Sequence, residues 1–346
     1  MRLPFFEVDM RRIVLIFCLI IMLVASAAIF LLTQPLFFTS GHQAMAQADQ
    51  SLLRVHVEKL TTDFYPRSYD NIENQNTVLD YLKTCLIKYD ARVYEQEYVT
   101  EEGYVFTNLI SEFGPEPGAE TPLLLVGAHY DSYSAVNHGY SGEIGLRTHT
   151  PGADDNASGV AGLLELARLL HEHPPARPVV LVFYASEEPP FFATSNMGSA
   201  VHAEAETRPV ELMISLEMIG YFDDEPGSQA YPLSGLEAIY PDSGNFIAVV
   251  GRIQDMSETR KVKRLMTEAS DLPVYSINAP PEMKGLDFSD HRNYWAKDIH
   301  AVMITDTAFY RNPNYHTGGD SADTLDYARM AKVVTGVFSV LTRYDE

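Results

Sequence analysis

The sequence predicts an α/β fold in three layers: a mixed, mostly parallel sheet flanked by helices on both faces, preceded by one N-terminal transmembrane helix. Three observations carry that reading. Short, continuous apolar runs such as Leu123–Val126 and Val179–Tyr184 are the pattern of strands covered on both faces. Segments with apolar residues at helical spacing, such as Ala157–Glu172, alternate with them, and such alternation builds a sheet with helices on either side. The third is Ile13–Leu32, 20 residues without a charge, which at about 1.5 Å per residue reach about 30 Å, the depth of a hydrocarbon core. With 346 residues, 46% apolar and 21% charged, the chain is long enough to bury a sizeable core and too apolar to be disordered.

Taken in order, residues 1–12 form a short N-terminus, 13–32 the anchor, 33–50 a polar, small-residue linker and 51–346 one body. Arg11 and Arg12 precede the span, and no Lys or Arg follows it until Arg54. The positive-inside bias therefore places residues 1–12 in the cytoplasm and the body on the periplasmic or extracellular side of the membrane, held by a single pass. The alternative is a cleaved signal peptide, with Ala25-Ser26-Ala27 as the cleavage site. That site lies inside the apolar run, and such peptides carry shorter apolar regions, of about 7–15 residues.

Within the body, Ser51–Tyr89 has helical spacing interrupted at Pro66. Arg92–Val99 and Tyr104–Phe113 alternate as a hairpin about Glu101-Glu102-Gly103, and Gly114–Gly118 is a turn. The helix at Ala157–Glu172 stops before Pro174, and a shorter one covers Gly198–Glu206. Pro209–Leu216, Phe246–Val250 and Ala301–Ile304 read as further strands, and Thr324–Arg343 as a closing helix. There is no repeat and no low-complexity tract.

Composition removes several classes of function. With 25 Lys and Arg against 47 Asp and Glu the net charge is −22, and a surface that acidic repels phosphate backbones, so no nucleic-acid partner is expected. The 2 cysteines, one of them Cys18 inside the span, exclude a disulfide scaffold and a Cys-rich zinc module. The 11 histidines and many carboxylates leave oxygen and nitrogen metal sites open.

In doubly flanked sheets, functional groups collect at the carboxyl ends of strands. After Leu123–Val126 comes Gly127-Ala128-His129-Tyr130-Asp131-Ser132, and after Val179–Tyr184 comes Ala185-Ser186-Glu187-Glu188. Leu216 leads into Glu217-Met218-Ile219-Gly220, and Asn314-Tyr315-His316-Thr317 follows soon after Ala301–Ile304. Pro151 to Gly159 (PGADDNASG) stands before the long helix at Ala157–Glu172. Each motif has an ordinary reading: a structural histidine, a solvated Glu pair, an Asp or Asn helix cap. Joint occurrence at the ends of neighbouring strands favours a single cleft. Charge agrees with two divalent ions there: Asp155, Glu188 and Glu217 offset three of their four positive charges and a hydroxide the fourth. His129 and His316 give each ion one neutral nitrogen. Glu187 remains as a general base, since adjacent residues leaving a strand point different ways.

At these residues the sequence resembles the co-catalytic di-zinc aminopeptidases of metallopeptidase family 28, a family that also holds glutaminyl cyclases and glutamate carboxypeptidases. The motifs are GAHYDS (127–132), PGADDNASG (151–159), YASEE (184–188), LEMIG (216–220), SDH (289–291) and YHT (315–317). The resemblance implies that His129 and Glu217 hold one Zn2+, that Glu188 and His316 hold the other, and that Asp155 bridges them. It also implies that Glu187 is the base, that Asp131 orients His129, and that a cis peptide follows Asp155. Asp155 is preferred to Asp154 by its spacing to Ser158-Gly159. Asp290 or His291 is expected to support the site or the substrate. The chain departs from the family after the Glu pair, where Pro189 to Met197 is longer and aromatic, so that loop is expected to reshape the specificity pocket.

Together with the N-terminal span, the resemblance implies a membrane-anchored aminopeptidase acting on peptide substrates, with two zinc ions or other divalent metals as cofactors. Three alternatives stay open: a glutaminyl cyclase, a carboxypeptidase-type relative using Arg252 or Arg292, and a peptide-binding ectodomain without catalysis. Residue preference and oligomeric state are not readable from the sequence.

Overall fold

The computed structural model describes residues 10–36, 44–116, 118, 121–135 and 149–346. The first nine residues of the expected cytoplasmic segment and residues 37–43 of the expected linker lie outside the described residues. The elements are α1 (Met10–Thr33), α2 (Gln50–Thr62), α3 (Ile72–Lys88), β1 (Arg92–Val99), β2 (Val105–Phe113), β3 (Leu123–His129), α4 (Gly159–Glu172) and β4 (Val179–Tyr184). They continue with α5 (Gly198–Ala205), β5 (Val210–Leu216), β6 (Ile247–Arg252), α6 (Met256–Ala269), β7 (Val274–Ala279), α7 (His291–Trp295), β8 (Ala301–Thr305) and α8 (Tyr327–Arg343).

The strands form one sheet in the order β1-β2-β4-β3-β5-β8-β6-β7. The four central strands, β4, β3, β5 and β8, run parallel, while β1 and β2 on one side and the β8–β6 pairing on the other are antiparallel. Every residue of β3 and β4 is buried, as expected of strands covered on both faces. Along β3, side chains alternate between two cores: Leu124, Val126 and Ala128 pack with α2, α3, α4 and α8 residues, whereas Leu123 and Leu125 pack with Tyr294, Trp295 and Leu286 on the other side. The three-layer architecture is thus the one the sequence predicts.

Three elements were not anticipated. α6, β7 and α7 lie between the expected strand at Phe246–Val250 and Ala301–Ile304, and β7 extends the sheet to its far edge. The stretch 33–50 also differs from a free linker at both ends. Gln34 is buried, the Lys263 ammonium donates to the Thr33 carbonyl (2.8 Å), and the Ala48 and Asp49 amides donate to Thr335 Oγ1 (3.0 Å) and Glu165 Oε1 (2.6 Å).

Parallel pairing of β4, β3, β5 and β8 brings their carboxyl ends to one rim. His129 ends β3, Glu187 and Glu188 follow β4, Glu217 follows β5, and Asp306 follows β8. The loop carrying Asp155 is pulled toward this rim by Gly159. A Cβ there would stand 2.7 Å from the Leu216 carbonyl, so only glycine lets the start of α4 reach the end of β5.

Candidate metal and catalytic centre

Five of the sequence-selected side chains meet in two clusters that share Asp155. His129 Nε2 stands 3.4 Å from Asp155 Oδ1 and 3.4 Å from Glu217 Oε2. His316 Nε2 stands 3.1 Å from Asp155 Oδ2 and 3.3 Å from Glu188 Oε2. Both imidazole nitrogens and Glu188 Oε1 are buried without a hydrogen-bond partner. Ligand atoms at about 2.0–2.1 Å from a tetrahedral zinc lie about 3.3 Å from each other, so the observed separations fit donors arranged around a cation. Within each triad the donor atoms all lie within 4.8 Å of one another.

The electrostatics point the same way. Burial alone would lower the His316 imidazole, but Glu188 and Asp155 outweigh it and push it up to about 10. His129 is likewise raised, burial being overcome by Glu217, Asp131 and Asp155. Burial pushes Glu188 up to about 7, partly offset by His316. Asp155 alone is held below the usual carboxylate range, because its contacts with both imidazoles exceed its burial. Two rings in so acidic a pocket demand positive charge at their inner nitrogens, which divalent cations supply. His and carboxylate donors suit zinc.

Asp131 ties this arrangement together. Its carboxylate accepts from His129 Nδ1 (3.1 Å) and also from the backbone amides of Glu187 (3.1 and 3.0 Å) and Glu188 (3.0 Å). One side chain therefore fixes the His129 ring and the loop that carries the Glu pair. Glu187 itself is buried, with Oε2 3.9 Å from His129 Nε2, and burial holds its carboxyl well above the ordinary range.

Asp154, the other candidate for the bridge, points elsewhere. Its oxygens accept from the Gly220 amide (2.9 Å) and Asn312 Nδ2 (2.8 Å). Asp155 precedes a cis peptide to Asn156, as the resemblance implied. The turn is held by Asp320, whose carboxylate accepts both the Asp154 amide (2.9 Å) and the Asp155 amide (3.1 Å).

Of the two expected residues in the 289–291 segment, Asp290 lies beside the site and His291 does not. His291 turns away from the cluster: its Nε2 meets the Leu286 carbonyl (2.8 Å) and its ring stands edge-on to Trp295. Ser289 is the residue that reaches the site, its hydroxyl donating to Glu217 Oε2 at 2.7 Å. Residues 289 and 291 part company because α7 begins at His291. Asp290 is fully buried close enough to feel both His129 and Glu217, and burial pushes its carboxyl up to about 7.

Three further residues shape the site; Arg67 and Tyr133 stand outside the motifs, and Tyr315 stands inside YHT with no role marked there. Tyr133 and Tyr315 sandwich the His316 ring, with centroids at 4.0 and 3.8 Å and planes within 13° and 16°, which fixes its orientation from both faces. Arg67 is fully buried and donates to the carbonyls of Leu60 (2.8 Å), Tyr130 (3.0 Å), Pro151 (2.8 Å) and Gly152 (2.8 Å). It thereby clamps the His129–Asp131 segment to the loop leading to Asp155. Gly152 serves this clamp: it sits at φ +63°, and a Cβ would lie 2.7 Å from the Arg67 guanidinium.

Beside Glu217 and Tyr315 opens a pocket walled by Tyr231, Phe246, Tyr275, Phe309 and Met303. Among its polar wall residues, Gln229 is already engaged, donating to the Ala230 carbonyl and Thr307 and accepting from Arg311. The aromatic loop after the Glu pair takes two directions. Phe191 packs into the core against Tyr69, Tyr104 and Phe106, while Phe192 meets Phe288 at the pocket wall. A third grouping, Asp255, Glu258 and His300, is committed to other bonds: Arg252 forks onto Asp255 (2.8 and 3.1 Å), which also meets His300 Nδ1 (2.7 Å). Arg252 is thus engaged away from the cleft.

An α/β sheet with His and carboxylate triads at its carboxyl rim defines a metallopeptidase-type hydrolase scaffold. The family model described as Peptidase family M28 matches residues 108–341, and the chain belongs to that family. It is 51% identical over 317 residues to the uncharacterized protein YfbL of Escherichia coli (strain K12), covering 90% of this chain and 95% of that one. The fold is similar to that of a leucine aminopeptidase precursor from Bacteroides thetaiotaomicron (TM-score 0.65, 21% identity, 86% of this chain and 98% of that one). It is equally similar to a glutaminyl cyclase of the same organism (TM-score 0.64, 20% identity, 86% and 99%).

Proposed function

We propose that this chain is an aminopeptidase that uses two zinc ions to hydrolyse N-terminal peptide bonds, anchored by α1 with its body outside the cytoplasm. The observation that carries the reading is the pair of donor clusters joined by Asp155, with Glu187 uncommitted beside them. His129 and Glu217 would hold one ion and Glu188 and His316 the other, Asp155 lying between. When bound, the ions supply Lewis acidity and make water acidic enough to deprotonate near neutral pH.

The chain's residues supply the remaining steps. Glu187 takes the proton from the attacking water and returns it to the leaving amine, and burial raises its basicity. Asp131 holds Glu187 at its post through the backbone. The free ammonium of the substrate sits among Glu188 and Glu217, and the side chain of the first residue enters the apolar pocket beside Glu217. Aromatic walls favour a bulky apolar first residue.

Glutaminyl cyclisation is the second reading, favoured by the likeness to a cyclase fold. It fits this chain less well, because the pocket's walls are mainly aromatic and aliphatic and suit an apolar first side chain better than a glutamine amide. The test is metal analysis of the purified chain together with a panel of aminoacyl and N-terminal glutaminyl peptides. About two zinc ions per chain and release of free leucine or phenylalanine support the proposal. One ion per chain with pyroglutamate as product replaces it by the cyclase reading.

A further inference from the structure

We infer that the pocket beside Glu217 is an alkyl trough, and that its preferred substrates are peptides whose first residue carries a long linear alkyl group, as a thioether-alkylated cysteine does. This rests on the aminopeptidase reading and specifies the class of first residue. The trough begins at the metal clusters, since Glu217 and Tyr315, which stacks on His316, both line it. It then crosses the sheet away from them. Its floor is a grid of side chains on one face of three adjacent strands. Thr305, Ala248 and Tyr275 are register partners across β8, β6 and β7, and Met303, Val250 and Ile277 form the next row. β5, which leads into Glu217, pairs with β8 on the other side. From β5 to β7 there are thus three strand spacings, about 14 Å at about 4.8 Å each.

No ordinary apolar side chain is that long. Leucine and phenylalanine reach only about 4–5 Å from Cα, which carries them no further than β8. A linear alkyl chain advances about 1.25 Å per carbon, so about ten carbons run the length of the trough. Ala248 stands in the middle of its row, and this smallest of the floor side chains keeps the way open between β8 and β7.

The walls select alkyl over peptide. Leu236 and the stacked rings of Tyr231 and Tyr240 face the far part of the trough. The tyrosine hydroxyls are spent on protein: Tyr240 donates to the Ser276 carbonyl (2.7 Å), Tyr231 to the Pro241 carbonyl (2.5 Å) and Tyr310 to the Lys284 carbonyl (3.2 Å). Gln229 and Thr307 are bonded to each other (2.8 Å). A peptide main chain laid along these walls would bury an amide and a carbonyl at every residue and find those hydroxyls already donated, whereas an alkyl chain has no polar group to satisfy. The trough therefore takes one long side chain rather than several successive residues.

The experiment measures kcat/KM of the zinc-loaded full chain in detergent on para-nitroanilides of α-amino acids with linear side chains of four, six, eight and ten carbons. Each methylene taken into the trough is worth about a fourfold rise. Ala248→Phe fills the middle of the floor, and Ile277→Asp places a charge at its far end. Both should match the unsubstituted chain in zinc content and on the four-carbon substrate, and fall at least ~10-fold below it on the ten-carbon one. Comparing proteins substrate by substrate cancels the partition of long chains into detergent. The same ratio of unsubstituted to substituted chain at every length overturns the inference, while hydrolysis of the four-carbon substrate keeps the peptidase reading. Absence of any hydrolysis of the four-carbon substrate overturns the peptidase reading and this inference with it.

Discussion

Replacing Asp131 by Asn tests how the site is held, because the substitution keeps size and shape and changes only which atom accepts. In the native arrangement Oδ1 receives His129 Nδ1 and the Glu187 amide, and Oδ2 receives the Glu187 and Glu188 amides. An Asn side chain has two ways to sit. With its NH2 at the Oδ2 position it confronts two buried backbone donors at 3.0 Å; the Glu187 amide keeps its bond to Oδ1, but the Glu188 amide is left unpaired beside a second donor, a cost of about 1–3 kcal/mol. With its NH2 at the Oδ1 position it keeps the Glu188 amide bond and one of the two to Glu187, but His129 Nδ1 must now accept. The imidazole proton then moves to Nε2, the atom that faces Asp155 and Glu217. The second arrangement costs less and blocks the ligating nitrogen. Zinc affinity at the His129 cluster is expected to fall by about 10–100-fold, with the thermal midpoint nearly unchanged. Competition of the metal-free protein against a chromophoric chelator measures the affinity, and circular dichroism the midpoint. Two zinc ions bound at native affinity by a folded Asp131→Asn protein would refute the reasoning.

Other expectations follow from the same geometry. Glu187→Gln should retain about two zinc ions per chain while turnover falls by at least ~10²-fold, and near-native turnover would remove Glu187 from the role of base. Asp155→Ala should lose metal from both clusters, since each includes a carboxylate oxygen of Asp155; full occupancy by elemental analysis would show that the bridge is misassigned. Tyr133→Ala should weaken metal binding at His316 more than at His129, because it removes one face of the sandwich; equal loss at both clusters would contradict this. Burial holds His202, hydrogen-bonded to Tyr294, down at about 4, against 6.5 for an exposed imidazole. The unfolded chain thus binds a proton that the folded chain refuses between those values, so stability is full above pH ~6.5 and falls by up to ~3 kcal/mol as pH drops toward 4. Urea midpoints at pH 7 and pH 5 should lie closer together in His202→Gln than in the native protein, and an unchanged interval would reject that assignment.

The parts legible in the sequence are those whose residue type is dictated by local surroundings. β3 and β4 are unbroken apolar runs because both faces are covered, and their ends announce His129 and Glu187-Glu188 wherever the rest of the chain goes. β7 reads VYSINA, half polar, because it is an edge strand whose Ser276 serves the end of α1. In α6 the stripe Val262, Leu265, Met266 and Ala269 is interrupted by Lys263, whose ammonium serves the end of α1. The second ring of the site is silent for a different reason. Arg67 answers to four carbonyls, and carbonyls have no residue type to read. Tyr133 and Tyr315 are ordinary aromatics until the fold closes them on His316.

Residue chemistry therefore marks the atoms that hold charge, whereas the groups that aim those atoms are chosen by shape and backbone geometry. Asp131 shows where the two meet. It lies two residues beyond His129 in the same motif, yet half of its work is done on backbone amides 56 and 57 positions away. A substitution there acts on base and ligand together, and for that reason its effect on metal affinity and on turnover should not add to that of Glu187→Gln as independent sites would. A double-mutant cycle with Asp131→Asn and Glu187→Gln, read in turnover, should give a combined loss smaller than the product of the two single losses. Strict multiplicativity would mean that Asp131 orients His129 alone and leaves the base to find its own position.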